Sequence, residues 1–417
     1  MKKVLIVTHL PFATPRIQGI TRHLPDYGWE PIIITPPCGN VTAPCRVYQT
    51  EYKSHLHLLL RIFKLGDRED DIHGAVGDAN SVRSRILLSL VTFVGSILNY
   101  PDIKWGWYHY AVKTASDIIR QENIKVIISS SSPVTAHIVA KTLKADYGIP
   151  WIADIRDMWS QNHNYKYGAI RRMVDQRLEL KTLAKADKLV TVTNWAHVLR
   201  RLHNRDKVWT VSNGYNADKY DIVANVSRRF TITYIGAVYQ GKQSPDLLFE
   251  ALRILIGSGK IDRHDIDIRF YGSEVIKIVS NGAIKYSLGD VVEYKGYANN
   301  VEVLQKSAQL LLILDWNDEG CRDVIPGKVY EYMASKRPIM AIGGVEGDAL
   351  GHILEVTKAG EHAATLIDTI EILERYYTEY KTTGTVACNS IDTEVGKYSF
   401  RVIAKRYAQL LDMSIMR

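Results

Sequence analysis

The stretch TITYIGAVYQGKQSPDLLFEAL (231–252) carries one complete structural unit. Its apolar run stops at Gly236, turn-forming residues follow, and Leu247, Leu248, Ala251 and Leu252 then recur at three-to-four spacing. This is the pattern of a buried strand, a loop and a helix laid back on it. Working outward, the unit repeats. Toward the C-terminus DIDIRFYGS (265–273), VVEYKGY (291–297), QLLLILDW (309–316) and PIMAIGG (338–344) read as strands. Toward the N-terminus KVLIVTH (3–9), PIIITPP (31–37), KVIISSSS (125–132), PWIADIRD (150–157), KLVTVTN (188–194) and KVWTVSNG (207–214) do the same. Helical patterns lie between them, at Tyr108–Glu122, Val134–Tyr147, Ala169–Ala186 and Ser244–Ser258. Runs of Val, Ile and Leu separated by helices imply parallel sheets covered on both faces. The expected fold is α/β, with two Rossmann-like, doubly wound domains facing a cleft and joined near Asn213–Ala224. Ligands of such sheets bind beyond the carboxyl ends of the strands.

The chain's 417 residues suit two domains of roughly 200 residues each. A hydrophobic share of 46% with 24% charged residues excludes a disordered or collagenous chain. Four cysteines without CxxC spacing argue against a disulfide framework or a zinc knuckle and suit a reducing cytoplasm. The opening MKKVLIV imitates a secretion signal, but its apolar run falls short of the roughly 7 residues such a segment needs. No stretch reaches the roughly 18 apolar residues of a membrane span.

Charge is uneven. Residues 1–210 hold 29 Lys and Arg against 18 Asp and Glu, a net +11, and residues 211–417 hold 24 against 27, a net −3. A basic half suits anionic partners. Nucleic acid is not expected among them, since zinc-finger spacing, a basic heptad region and an aromatic-interleaved basic stripe are all missing. Ser81–Asn99 reads as an amphipathic helix. It either packs on its own domain or lies on a membrane, flanked by Arg83, Arg85 and Lys104 with Trp105, Trp107, Tyr108 and Tyr110 as interfacial aromatics.

DVIPGKVYEYMASKRPIMAIGG (323–344) holds the clearest chemistry. Pro326 suits the first turn of a helix, Gly327 lets backbone come close, 327–336 runs helical and Pro338 opens the next strand. A helix start at a strand end favours anions, and Lys328 there is either a solvated lysine or a partner for an anionic guest. In the first half, Asp154 and Asp157 are an acceptor-activating acid, a capping pair or partners for Arg156. The Asp265-Ile266-Asp267 triplet spells a metal signature but opens an alternating strand, so no metal is expected.

VSNGYN (211–216), TITYIGAVYQGK with DLLFEAL (231–252), and DVIPGKVYEYMASKRPIMAIGG together resemble the family-4 glycosyltransferases of the GT-B fold. IPWIADIRDMW (149–159) is similar to a subgroup with an RD-x-W turn in the acceptor domain. KYSFRVIAKRYAQLL (397–411) looks like the helix that crosses back to the first domain in that fold. The resemblance implies an acceptor domain over 1–212 with helix 397–417, and a donor domain over 213–396. It implies a retaining enzyme that moves a sugar from a nucleotide diphosphate sugar to a hydroxyl of a lipid-linked or cell-surface glycan. No cofactor would be needed beyond that co-substrate. The enzyme would be cytoplasmic, peripheral on the inner face of an anionic membrane.

Residue by residue, the resemblance places Gly19 in a loop after the first strand, near the donor phosphate, with Arg16 adding charge. Gly236 begins the loop whose Lys242 grips the diphosphate, although Ala237 stands where the family has Arg, a charge that Arg322 could replace. Gly272 ends the next strand, where a base could lie. Asp323 and Glu331 match the family's paired acids eight apart, Asp323 by the donor sugar and Glu331 on the ribose, with Gly327 and Lys328 at the phosphates. Asp157 and Arg156 fall near the reacting centre. Rival readings are an epimerase on the same fold and a non-catalytic nucleotide-sugar-binding subunit.

Overall fold

The computed structural model describes residues 1–40, 42–53, 100–163, 165, 167–193, 195–272 and 275–416. The chain divides into two compact units, Met1–Val211 with Ala404–Arg417, and Ser212–Ile403. The amphipathic segment Ser81–Asn99 lies outside the described residues.

The first unit is built on seven strands: β1 (Lys2–Thr8), β2 (Trp29–Thr35), β3 (Arg46–Gln49), β4 (Ile124–Ser131), β5 (Trp151–Ile155), β6 (Lys188–Thr191) and β7 (Val208–Thr210). Their order is β3-β2-β1-β4-β5-β6-β7 and every pairing is parallel. The second unit has β8 (Phe230–Ile235), β9 (Ile266–Tyr271), β10 (Val292–Tyr294), β11 (Leu310–Leu314), β12 (Ile339–Ile342) and β13 (Gly360–Ala363). Their order is β10-β9-β8-β11-β12-β13, again all parallel. In both sheets the order reverses beside the unit's first strand, at β1/β4 and at β8/β11. That is where a doubly wound sheet opens a crevice at its carboxyl edge.

The strands form where the apolar runs predict. Central strands such as β1 and β11 are buried along most of their length, because helices cover both faces. The two strands the sequence hides are β3 and β13, which lie at sheet edges and are only partly buried. An edge strand needs less apolar character, so its signal is weak.

Two sequence expectations need correction. Gly19 does not sit in a loop: Leu10–His23 is a helix that starts directly after His9. Leu10, Ala13, Ile17 and Ile20 recur at three-to-four spacing and are all buried, which outweighs the breaker signals of Pro15 and Gly19. Pro11 falls in the first turn, where its missing N–H costs nothing. Trp107 is not an interfacial aromatic. It is 0% exposed, and its indole N–H donates to Thr50 Oγ1 at 2.7 Å inside the first unit's core.

A buried ionic network ties the first unit together. Arg16 on the first helix forks onto Asp154 on β5, with Nη2 to Oδ1 at 3.0 Å and Nε to Oδ2 at 3.2 Å. Tyr407, on the helix Phe400–Ile415, donates its hydroxyl to Asp154 Oδ1 at 2.7 Å and accepts from Arg16 at 2.9 Å. Ser130 Oγ donates to the other carboxylate oxygen at 2.9 Å, and Arg16 also reaches the Val211 carbonyl at 2.9 Å. Burial alone would push the Asp154 carboxyl up, but Arg16 and the hydrogen bonds hold it below the usual range. Asp154 therefore has no capacity left for a substrate, and its place is structural.

Removing one member of a buried pair strands the other. Asp154→Ala should cost roughly 3–5 kcal/mol and Tyr407→Phe roughly 1.5–3 kcal/mol, read as lowered urea midpoints of the intact chain. Unchanged midpoints for both would show that the network does not hold the unit.

Candidate functional site

In the second unit the carboxyl edge of the sheet is shaped by two glycines that touch. Gly236 follows β8 and Gly272 follows β9, both at φ +138°. A Cβ at Gly272 would stand 2.2 Å from the Gly236 carbonyl oxygen, so no side chain fits there. A Cβ at Gly236 would meet Lys328 Nζ at 2.7 Å. Glycine at 272 thus makes room for the Gly236 backbone, and glycine at 236 lets a lysine lie over that strand end.

Lys328 begins the helix Lys328–Ala334, which is shorter than the 327–336 run expected. Its ammonium is held by Tyr234 on β8, over the ring at 4.0 Å and donating to the hydroxyl at 2.9 Å. Tyr234 donates its own hydroxyl to the Ala237 carbonyl at 2.6 Å. Burial pushes Lys328 down to about 7, with Glu331 opposing. Its charge is therefore set by burial and by Tyr234. Lys328 is neither a freely solvated lysine nor one locked to a carboxylate.

Glu331, one turn on, is half-buried. Burial raises its carboxyl, while Lys219, the Gln305 side chain and Lys328 act to lower it. Gln305 is fixed from its other end, accepting from the Tyr220 hydroxyl at 2.6 Å. Gly327 is exposed, and a Cβ there would meet nothing within 4 Å. The fold itself does not require a glycine at that position, and open space lies above it.

Lys242 lies in the loop after β8, its Nζ 5.4 Å from the Trp316 ring, and its carbonyl accepts from Asn317 N–H at 3.0 Å. The loops after β8 and β11 are therefore joined, and Tyr239 stacks on Trp316 at 4.9 Å. Asp323 is half-buried in the loop leading to Pro326 and makes no hydrogen bond or ion pair among the described residues. Arg322 is exposed, 3.5 Å from the Glu319 carboxylate and donating to the Glu346 carbonyl at 3.2 Å. The structure brings Gly236, Gly272 and Lys328 into contact, with Glu331 close in charge. Asp323 and Arg322 belong to the adjoining loop.

Sequence reasoning missed a second cluster beside that loop. Asp315 follows β11, Asp348 caps the helix Ala349–Thr357, and His362 stands on β13. Their ligand atoms lie within 4.8 Å of one another, so the trio could hold a metal ion. His362 Nε2 is 3.7 and 3.8 Å from the two carboxylates and 2.7 Å from the Gly343 carbonyl. Burial, then the hydrogen bond and charge of Asp348, push Asp315 up to about 8. The acids are 33 residues apart in sequence, and no spacing motif announces them. Asp265 and Asp267, the sequence's metal look-alike, are engaged elsewhere: Asp265 with Tyr377 and Lys381, Asp267 with Arg269.

In the first unit three strand ends gather polar groups. His9 follows β1, Ser131 ends β4 and Arg156 follows β5; the register sets Thr8 beside Ser130 and Ser131 beside Ile155. Burial, then Lys104, pushes the His9 imidazole down to about 4, so it is neutral at pH 7. Ser131 Oγ is buried without a hydrogen-bond partner. Arg156 is half-buried and donates from Nε to Ser130 Oγ at 3.1 Å. Asp157 is exposed next to it. Gly19 is buried inside its helix, away from any loop.

No family model matches the chain, and no curated protein does. Solved structures do match. HepE of Anabaena, solved with UDP and glucose, is 11% identical with a TM-score of 0.64, over 99% of this chain and 100% of that one. Sucrose-phosphate synthase of Thermosynechococcus elongatus is 12% identical with a TM-score of 0.63, over 99% of each chain. TarM of S. aureus, solved with UDP, is 11% identical with a TM-score of 0.60, over 99% and 100%. The likeness shows the fold: two parallel-sheet α/β units of the GT-B kind.

Gly272→Ala must shift the Gly236 carbonyl and adopt an unfavourable φ, and should lose roughly 1–3 kcal/mol by urea unfolding. Lys328 binds fewer protons folded than unfolded between pH 7 and its unfolded value near 10.5. Stability should therefore rise with pH across that window and level off below it. Lys328→Met should flatten the rise; an unaltered slope would show that Lys328 titrates normally.

Proposed function

We propose that the chain is a retaining glycosyltransferase of the family-4 type. It moves a sugar from a nucleotide diphosphate sugar to a hydroxyl of a lipid-linked or cell-surface glycan. The observation that carries this is Lys328, seated by Tyr234 over Gly236 at the point where the second sheet's strand order reverses. A diphosphate is the guest that suits a compact cation beside open backbone at such an edge.

The donor's diphosphate lies over Gly236 and Gly327 and meets Lys328 and Lys242. Breaking the glycosidic bond puts negative charge on the leaving nucleotide, and pre-placed cations stabilise it without reorganising. Binding draws a proton onto Lys328, because an anion favours the charged form. Glu331 accepts from the ribose hydroxyls, the base lies at the end of β9 by Gly272, and Asp323 with Arg322 stands on the sugar side. In the first unit Arg156 and Asp157 position the acceptor, with the unpaired Ser131 hydroxyl as a further contact. The departing phosphate oxygen can itself take the acceptor's proton, so the step needs no protein base and no metal. Gly19, inside its helix, has no part. The enzyme would work in the cytoplasm, as the family resemblance implies.

The absence of Arg at Ala237 favours a second reading, a subunit that binds nucleotide sugar without turning it over. Turnover assays separate the two.

A thermal-shift panel of UDP-, GDP-, dTDP- and ADP-sugars should single out one base, since ligand at 100 times Kd adds about 2.7 kcal/mol. Glu331→Ala should weaken that ligand by roughly 1–3 kcal/mol. Calorimetry at pH 8 in buffers of different ionisation heat should register proton uptake, absent in Lys328→Met. No shift with any nucleotide sugar at millimolar concentration would sink the proposal.

A further inference from the structure

The helix Ala169–Leu183 of the first unit carries Arg171, Arg172, Arg177 and Lys181 against Asp175 and Glu179. Both acids are turned inward, 2% and 0% exposed. Asp175 accepts from the Tyr165 hydroxyl at 2.6 Å and pairs with Arg171 at 3.2 Å. Glu179 accepts from the backbone N–H and the hydroxyl of Ser160. The exposed residues of the helix are therefore all apolar or cationic, with Gln176 half-buried.

Ile170 is 81% exposed, Met173 53% and Val174 44%, and Arg177 and Lys181 are exposed too. At about 100° per residue these five fall into one stripe roughly 100° wide. Tyr167, 46% exposed just before the helix, extends its apolar end. Arg172 is also exposed, its guanidinium 4.8 Å from the Tyr165 ring. A contiguous apolar patch beside unpaired-sign charge marks an interaction surface rather than a chance exposure.

Charge decides the occupant. We infer that the first unit docks on an anionic lipid bilayer through this helix face. A bilayer surface supplies both requirements in one layer. Ile170, Met173 and Val174 enter the acyl boundary, while Arg177 and Lys181 reach phosphate on long flexible stems. The net +11 of residues 1–210 adds long-range attraction to the same surface. This inference does not depend on the proposed sugar transfer.

Flotation of the full chain with phosphatidylcholine vesicles, with and without phosphatidylglycerol, at low and high salt, tests it. The chain should float with the anionic vesicles at low salt, largely detach at high salt, and ignore phosphatidylcholine alone. Ile170→Ser with Met173→Ser, and separately Arg177→Glu with Lys181→Glu, should each weaken binding roughly tenfold or more. Both pairs are solvent-exposed, so unchanged circular dichroism and unchanged nucleotide-sugar thermal shifts should accompany the loss. Wild type that fails to float, variants that float equally well, or self-association in place of vesicle binding would each overturn the inference. Lost donor binding with flotation intact would bear on the proposed function alone.

Discussion

Asp154 is a carboxylate with no access to water, and the first unit is arranged to make that tolerable. An isolated buried charge of this kind is prohibitive, so its partners must come from wherever the chain can deliver them. They come from the first helix, from β4 and from a helix near the far end of the sequence. The pairing constrains the helix Leu10–His23 to start directly after β1 and to present Arg16 toward β5. It also lets Ser130 divide its hydroxyl between Asp154 and Arg156. Arg156 is thereby oriented by a network whose main charge is already neutralised.

The second unit solves a different problem. Its polar edge is assembled from backbone more than from paired charges. The Gly236 backbone lies so close to Gly272 that no side chain fits at Gly272, and Lys328 lies where a side chain at Gly236 would go. Tyr234 makes that placement reversible: a ring face and a hydroxyl hold an ammonium less firmly than a carboxylate would. At the end of β11, burial and Asp348 raise the Asp315 carboxyl, and both carboxylates lie within 4 Å of His362 around Gly344.

The strands of both sheets were legible because a strand buried on both faces is written as an unbroken apolar run. β3 and β13 were not, since an edge strand half in water carries no such run. The first helix was misread around Gly19 because Pro15 and Gly19 are breakers by type, while the buried series Leu10, Ala13, Ile17 and Ile20 is visible only when spacing is weighed above residue identity. At the site, Lys328, Gly236 and Gly272 could be picked out because each lies one or two residues past a strand or at a helix start. What holds Lys328 could not, since Tyr234 looks like any strand aromatic. Asp315, Asp348 and His362 meet only through sheet order, a long-range fact that no local spacing encodes.

The path of the chain has a consequence for synthesis. The first unit needs residues Ala404–Arg417, and these are made only after the whole of Ser212–Ile403. At about 5–20 residues per second the ribosome spends roughly 10–40 s on that intervening stretch. Through that interval Arg16 and Asp154 exist without the Tyr407 hydroxyl, while the second unit has everything it needs to fold. The unit begun first is therefore finished last, and its nascent form is the species most in need of protection by a chaperone.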